Sequence, residues 1–132
     1  MELLLTMVGV EHLDASVDFY RELGLVPVWW PDDDSVLLAT GPAEVPMIML
    51  SRNCDETRLG PGGVFAIDDL DEFHRRHPDL DWLVAPVDGS VGRYAAFGDR
   101  TGVPIRLVDY SHEPAAAAVF ARRGPSGSRM VS

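Results

Sequence analysis

Short apolar runs separated by turns rich in Gly, Pro and Asp recur along the chain and are typical of buried β-strands. Two further segments show helical spacing: residues 15–23, which are followed by Gly24, and residues 68–77, which are followed by Pro78. The predicted order of elements is therefore β-α-β-β-β, and it occurs twice. The predicted strands are residues 3–10, 26–30, 36–40 and 46–51 in the first half and 62–67, 82–87, 93–97 and 104–109 in the second.

A shift of 57 residues superimposes the two halves. It brings Val8 onto Phe65 in the first predicted strand and Ile48 onto Ile105 in the last. Because one offset aligns both ends of the pattern, the sequence indicates a duplicated module.

The remaining segments do not follow the repeat. Residues 52–60 are a polar connection, predicted to be a linker between module 1–51 and module 61–110. These modules predict one domain over residues 1–112. Residues 113–132 add an Ala-rich segment, with a short helix over 115–123, and a tail rich in Gly, Ser and Arg that we expect to be disordered.

Composition narrows the possible partners. The chain has 132 residues and a net charge of −10, which disfavours nucleic acid or an anionic membrane as the main partner. Its single cysteine, Cys54, excludes an intramolecular disulfide and suits a reducing compartment. The N-terminus lacks the basic region of a signal peptide, and no apolar run approaches the roughly 20 residues of a membrane span. We expect a soluble, cytoplasmic protein.

Three motifs carry a family resemblance: residues 8–20 (VGVEHLDASVDFY) followed by 22–25 (ELGL), residues 67–71 (IDDLD) and residues 97–107 (FGDRTGVPIRL). Together they resemble the vicinal oxygen chelate superfamily, which includes glyoxalase I, extradiol dioxygenases, and fosfomycin- and bleomycin-resistance proteins. The resemblance implies an α+β fold in which two βαβββ modules form a curled mixed sheet around a cup-shaped cavity. It also implies a homodimer, as in many members, but it does not fix the function.

Metal-dependent members of this superfamily place His and Glu ligands on the first and last strands of the modules. The matching positions here hold Leu5, Met49, Gly62 and Arg106. None supplies an imidazole or a carboxylate, and the charge of Arg106 opposes a divalent cation. His74 and His77 are spaced as a helical pair, but no third ligand accompanies them. We therefore expect no metal and no other cofactor.

Strand alternation indicates which side chains line the cup. If Leu5 points inward, Leu3 and Met7 do so too, and Met47, Met49 and Ser51 line the last strand of the first module. Neighbouring Trp29 and Trp30 point to opposite faces, and Trp82 and Tyr94 lie on strands of the second module. The candidate ligand-binding residues are Leu5, Met7, Trp29, Trp30, Met47, Met49, Trp82, Tyr94 and Arg106.

Alternatives remain for several of these residues. The tryptophans could instead pack in the core or in a dimer interface, and Arg106 could form a salt bridge with an acidic residue. His12 is expected to help cap the first helix, whose predicted N-cap is Asp14.

The sequence thus predicts a metal-independent protein that sequesters a hydrophobic or aromatic small molecule, such as an antibiotic or natural product, in an apolar cup. Enzymatic alternatives are a metal-independent isomerase or cyclase, in which Arg106 would polarise a carbonyl, and a divalent-metal lyase or dioxygenase with displaced ligands. No catalytic residue is assigned, since Cys54 has no neighbouring His and no Gly-x-Ser-x-Gly elbow is present.

Overall fold

Eight strands and four helices follow one another in the computed structural model, which describes residues 1–122. In chain order they are β1 (Glu2–Gly9), α1 (Leu13–Glu22), β2 (Val26–Asp32), β3 (Ser35–Ala39), β4 (Ile48–Ser51), α2 (Cys54–Leu59), β5 (Gly62–Ala66), α3 (Leu70–Arg76), β6 (Asp81–Asp88), β7 (Arg93–Gly98), β8 (Pro104–Asp109) and α4 (Pro114–Phe120). The tail predicted from residue 124 onward lies outside the described residues.

The strands form one mixed sheet in the order β2-β3-β4-β1-β5-β8-β7-β6. Within each module the first and last strands pair in parallel, β1 with β4 and β5 with β8. The two first strands, β1 and β5, pair antiparallel and join the modules at the centre of the sheet. The α+β class and the two βαβββ modules predicted from the sequence are confirmed.

Alternating side chains on each strand divide the core between the two faces of the sheet. On β3, Val36 and Leu38 pack on the outer face with Leu13 and Val17 of α1, whereas Leu37 packs on the inner face. In the second module α3 buries Leu70 against the outer face. The apolar cluster on the inner face, the inner cluster, consists of Leu5, Met7, Leu37, Met49, Val64, Val108, Ala116, Val119 and Phe120.

The first helix begins slightly before the predicted cap. His12 occupies the N-cap position, but its side chain makes no capping hydrogen bond. Asp14, predicted as the cap, lies in the first turn of α1, where a carboxylate complements the helix dipole.

The connection over residues 52–60, which runs between the two modules, contains a packed helix. Asn53 caps α2, since its side chain accepts a hydrogen bond from the backbone N–H of Asp55 at 2.8 Å. The helix lies against the end of β1, where a Cβ on Gly9 would be 2.7 Å from Cα of Thr57. Glycine at position 9 thus permits the close approach of α2 to the inner face.

The Ala-rich segment also contributes to the core. It forms α4, which ends at Phe120 rather than at residue 123, and buries Ala116, Val119 and Phe120 in the inner cluster. The segment that the sequence placed outside the domain of residues 1–112 therefore covers part of the inner face.

Candidate functional site

A cavity of about 190 Å³ lies on the inner face between the two modules. Its apolar walls include Leu5, Met7, Met49, Val64, Val108 and Phe120. Its polar side chains come from Asp32, Ser35, Ser51, Asn53, Glu56, Ser90 and Tyr94. The cavity reaches the surface at exposed Asp32 and Asn53 and at the turn that contains exposed Ser90. Most of its walls are apolar, with polar side chains at a few places, as is common in small-molecule sites.

Four of the predicted site residues line this cavity: Leu5, Met7, Met49 and Tyr94. A bulge between Leu3 and Leu5 interrupts the alternation of β1. As a result Leu4 lines the cavity beside Leu5, while Leu3 is 59% exposed and pairs with Phe65. The inward direction predicted for Leu3 was wrong because the bulge shifts the alternation by one residue.

Met47 and the tryptophans lie away from the cavity. Met47 precedes β4 and is 45% exposed. Trp29 packs against the inner cluster without lining the cavity, while Trp30 is 47% exposed on the edge strand β2. Trp82 packs on the outer face against Phe97, its partner across β6 and β7. These four residues are therefore not brought together at the site, and Trp82 has the core packing that was the alternative for the tryptophans.

Arg106 is fully buried and does not line the cavity. Its Nε donates to Oε2 of Glu56 at 2.9 Å, and its Nη2 donates to the backbone carbonyl oxygens of Gly60 at 2.7 Å and of Glu56 at 3.3 Å. Of the two possibilities left open for Arg106, the salt bridge is present. A guanidinium removed from water needs a counterion, and α2 supplies it.

Glu56 connects Arg106 to Tyr94 and to the cavity. The hydroxyl of Tyr94 donates to Oε1 of Glu56 at 2.7 Å, and both side chains line the cavity. Burial raises the pKa of Tyr94, and the negative charge of Glu56 raises it further. Tyr94 therefore stays neutral at physiological pH and acts as a hydrogen-bond donor.

Sequence reasoning missed Glu56, Ser35 and Phe120 as cavity residues. A signal for Glu56 was present, because Asn53 followed by two acidic residues is typical of a helix N-terminus. No comparable signal marks Ser35 or Phe120, since their places on the cavity wall depend on how the elements pack.

Of three comparisons with known proteins, only the comparison with solved structures found matches. No protein-family model matches the chain, and no curated protein matches it. Among solved structures, it is similar to an NAD-dependent benzaldehyde dehydrogenase from Legionella pneumophila, with a TM-score of 0.63 and 17% identity over 80% of this chain and 96% of that one. A glyoxalase/bleomycin resistance protein/dioxygenase superfamily member from Vibrio splendidus 12B01 matches at a TM-score of 0.56 and 16% identity, over 80% and 96% of the two chains.

A third similar structure is the Mn(II)-bound glyoxalase from Novosphingobium aromaticivorans, with a TM-score of 0.57 and 18% identity. The match covers 83% of this chain but only 38% of the glyoxalase. The chain has the vicinal oxygen chelate fold. At these identities the likeness establishes the fold alone.

The vicinal oxygen chelate fold implies a possible metal at the inner face, and the residues present do not fit one. Leu5 and Met49 offer no oxygen or nitrogen donor, and a Cβ at Gly62 would be 3.4 Å from Nη1 of Arg106. The carboxylate in this region, Glu56, is bound by Arg106 and Tyr94. A guanidinium therefore lies where a divalent ion would need anionic ligands.

Other candidate ligands are also dispersed. The ring of His74 lies against Trp82, and that of His77 stacks on Phe73. Within residues 1–122, no three or more side chains of His, Cys, Asp or Glu are grouped so that they could hold a metal ion. Over the same residues, no helix has the length and apolar character needed to cross a membrane.

Proposed function

We propose that this chain is a metal-independent small-molecule-binding protein that holds a hydrophobic or aromatic ligand in the inner-face cavity. The observation that carries the proposal is the cavity itself, whose walls of Leu, Met, Val and Phe side chains surround a few polar groups. Such walls favour apolar ligands because the ligand's surface is removed from water when it binds.

The size of the cavity points to a small ligand. Its volume of about 190 Å³ compares with about 150 Å³ for an engineered cavity that binds benzene, and with roughly 300–1,000 Å³ for drug-sized pockets. The cavity therefore fits one substituted aromatic ring. A larger antibiotic would require α4 to move away from the inner face.

The charges around the cavity favour a neutral ligand. Among residues 1–122, the ionisable residues that line it are Asp32, Glu56 and Tyr94, none of which is basic. The buried guanidinium of Arg106 is compensated by Glu56 and does not reach the cavity wall. A ligand carboxylate would face the negative charge of Asp32, and Arg106 would not offset the ligand's charge because it is already paired with Glu56.

A homodimer and a cytoplasmic location, which the sequence analysis predicts, complete the proposal. Exposed apolar side chains such as Trp30 and Met47 could contribute to a contact between two copies. Sedimentation velocity at micromolar concentrations tests the homodimer independently of ligand binding.

Calorimetric titration with ethylbenzene and with benzoate tests the proposed binding activity. We expect saturable binding of ethylbenzene, recovery of the unchanged compound, and no binding of benzoate. Val91→Trp, at a half-buried position on the cavity wall, should block ethylbenzene. Val103→Trp is the matched control, because Val103 is 48% exposed and does not line the cavity. Equal binding by both variants would locate the ligand elsewhere and contradict the proposal.

A second candidate function is metal-independent acid–base catalysis in the same cavity. Glu56 favours it, because this carboxylate faces an apolar cavity and is held by Arg106 and Tyr94. Prolonged incubation with a panel of substituted aromatic compounds, followed by mass spectrometry and NMR, distinguishes the two functions. An altered product that Glu56→Gln no longer forms would support the enzyme.

A further inference from the structure

Two serines form a buried polar pair on the wall of the cavity. Ser35 of β3 and Ser51 of β4 lie directly opposite each other in the sheet, with their Oγ atoms 3.2 Å apart. Their exposed fractions are 3% and 1%, and both side chains line the cavity. The pair therefore presents hydroxyl groups to a space that is otherwise largely apolar.

The hydrogen bonds of this pair leave one proton without an acceptor. Two hydroxyl groups carry two protons, and one of these protons forms the bond between Ser35 and Ser51. The backbone N–H of Asn53 donates to Oγ of Ser51 at 3.2 Å, which uses an acceptor site and leaves the count of donors unchanged. Within residues 1–122 no other group accepts the second hydroxyl proton. A buried donor without a partner is unfavourable, so this proton favours an acceptor inside the cavity.

We infer that the Ser35–Ser51 pair is a specificity site that donates a hydrogen bond to an acceptor oxygen of the ligand. This inference rests on the proposed function and narrows its ligand to neutral aromatic ketones, ethers and related compounds. Water that enters the open cavity can accept this proton, so a ligand that displaces the water must supply an acceptor oxygen of its own to keep the hydrogen bond. Either serine can supply the free proton, so both must be replaced to remove it.

Acetophenone and ethylbenzene are suitable probes, since they have nearly the same shape and differ in the carbonyl oxygen. The measured quantity is the ratio of their dissociation constants, determined by calorimetry for the wild type and for Ser35→Ala/Ser51→Ala. Loss of one hydrogen bond should shift this ratio against acetophenone by about fivefold. Thr40→Ala is the matched control, because Thr40 also carries a hydroxyl group but is exposed directly after β3 and does not line the cavity. Its ratio should equal that of the wild type.

A second measurement does not depend on the stability of the double variant. In the wild-type complex, the carbonyl stretch of bound acetophenone should lie at a lower frequency than in hexane, because a hydrogen bond to the oxygen weakens the C=O bond. An unshifted stretch, or an unchanged affinity ratio in the double variant, would overturn the inference while ethylbenzene binding still supported the proposed function. Failure of both probes to bind the wild type would instead overturn the proposed function.

Discussion

Nε of Arg106 lies 2.9 Å from Oε2 of Glu56, and this ion pair joins the last strand of the second module to the helix between the modules. Arg106 is fully buried, and the side chain of Glu56 is 13% exposed. The contact neutralises the guanidinium inside the fold and fixes α2 beside the cavity. It also orients the Glu56 carboxylate toward Tyr94.

Glu56→Ala should destabilise the protein, because it leaves the Arg106 guanidinium buried without its counterion. We expect the free energy of unfolding in urea to fall by about 3 kcal/mol. In the double variant Glu56→Ala/Arg106→Met, an apolar side chain replaces the guanidinium, and part of this loss should be recovered. A double variant less stable than Glu56→Ala would contradict the assigned role of the pair.

Tyr94 should make stability sensitive to alkaline pH. Its pKa is raised in the folded protein, mainly by burial and also by Glu56. Above the ordinary tyrosine pKa of about 10, the unfolded chain loses this proton and the folded chain keeps it, so stability falls as the pH rises. The contribution of one such group is at most about 1.4 kcal/mol per pH unit.

The comparison with Tyr94→Phe isolates this effect, because the variant has no phenol at that position. Unfolding free energies measured from pH 8 to pH 11 should fall more steeply for the wild type above pH 10. Parallel curves for the two proteins would rule out Tyr94 as the source.

Gly9→Ala should disturb the packing of α2. The new Cβ would lie 2.7 Å from Cα of Thr57, and backbone cannot move aside as a flexible side chain can. We expect a loss of about 1–3 kcal/mol, as for other overpacked sites. Gly41→Ala is the control, since its Cβ would meet only Cγ of Glu44 at 3.4 Å. Equal unfolding midpoints for the two variants would show that α2 does not press on β1.

Phe120→Ala should enlarge the cavity, because Phe120 of α4 lines it and is 7% exposed. Removing a buried phenylalanine costs about 3 kcal/mol or more and leaves space behind. The variant should gain affinity for naphthalene relative to ethylbenzene, as measured by calorimetry. Phe19→Ala, at a position that is 57% exposed, should change neither stability nor this preference. Unchanged ligand preference in Phe120→Ala would show that α4 does not bound the site.

Divalent metals should leave thermal stability unchanged. A ligand that binds only the folded state raises the melting temperature in proportion to its free-energy contribution, about 2.7 kcal/mol at one hundred times the dissociation constant. With Arg106 and Leu5 at positions where ligands would be needed, we expect no shift on adding millimolar Mn²⁺ or on dialysis against EDTA. A rise of several degrees with Mn²⁺ would show a metal site despite the donor set.

The order of strands and helices in both modules could be predicted from the sequence. Alternating apolar runs and turn residues are local signals of strands and helices, and the repeat at an offset of 57 residues indicated that the pattern occurs twice. The structure confirms both βαβββ modules. Inward positions for Leu5, Met7 and Met49 follow from strand alternation, which holds wherever no bulge intervenes.

The role of the cavity and that of Arg106 depend on contacts between elements that are distant in the sequence. Glu56, the partner of Arg106, lies 50 positions away in the sequence, on a segment whose polar composition suggested a linker. The Ser35–Ser51 pair likewise depends on the register between β3 and β4, and the bulge in β1 moved Leu3 outward. Periodicity describes which side of its own strand a residue occupies. It carries no information on which distant element approaches that side, and this approach determines the charge compensation of Arg106 and the size of the cavity.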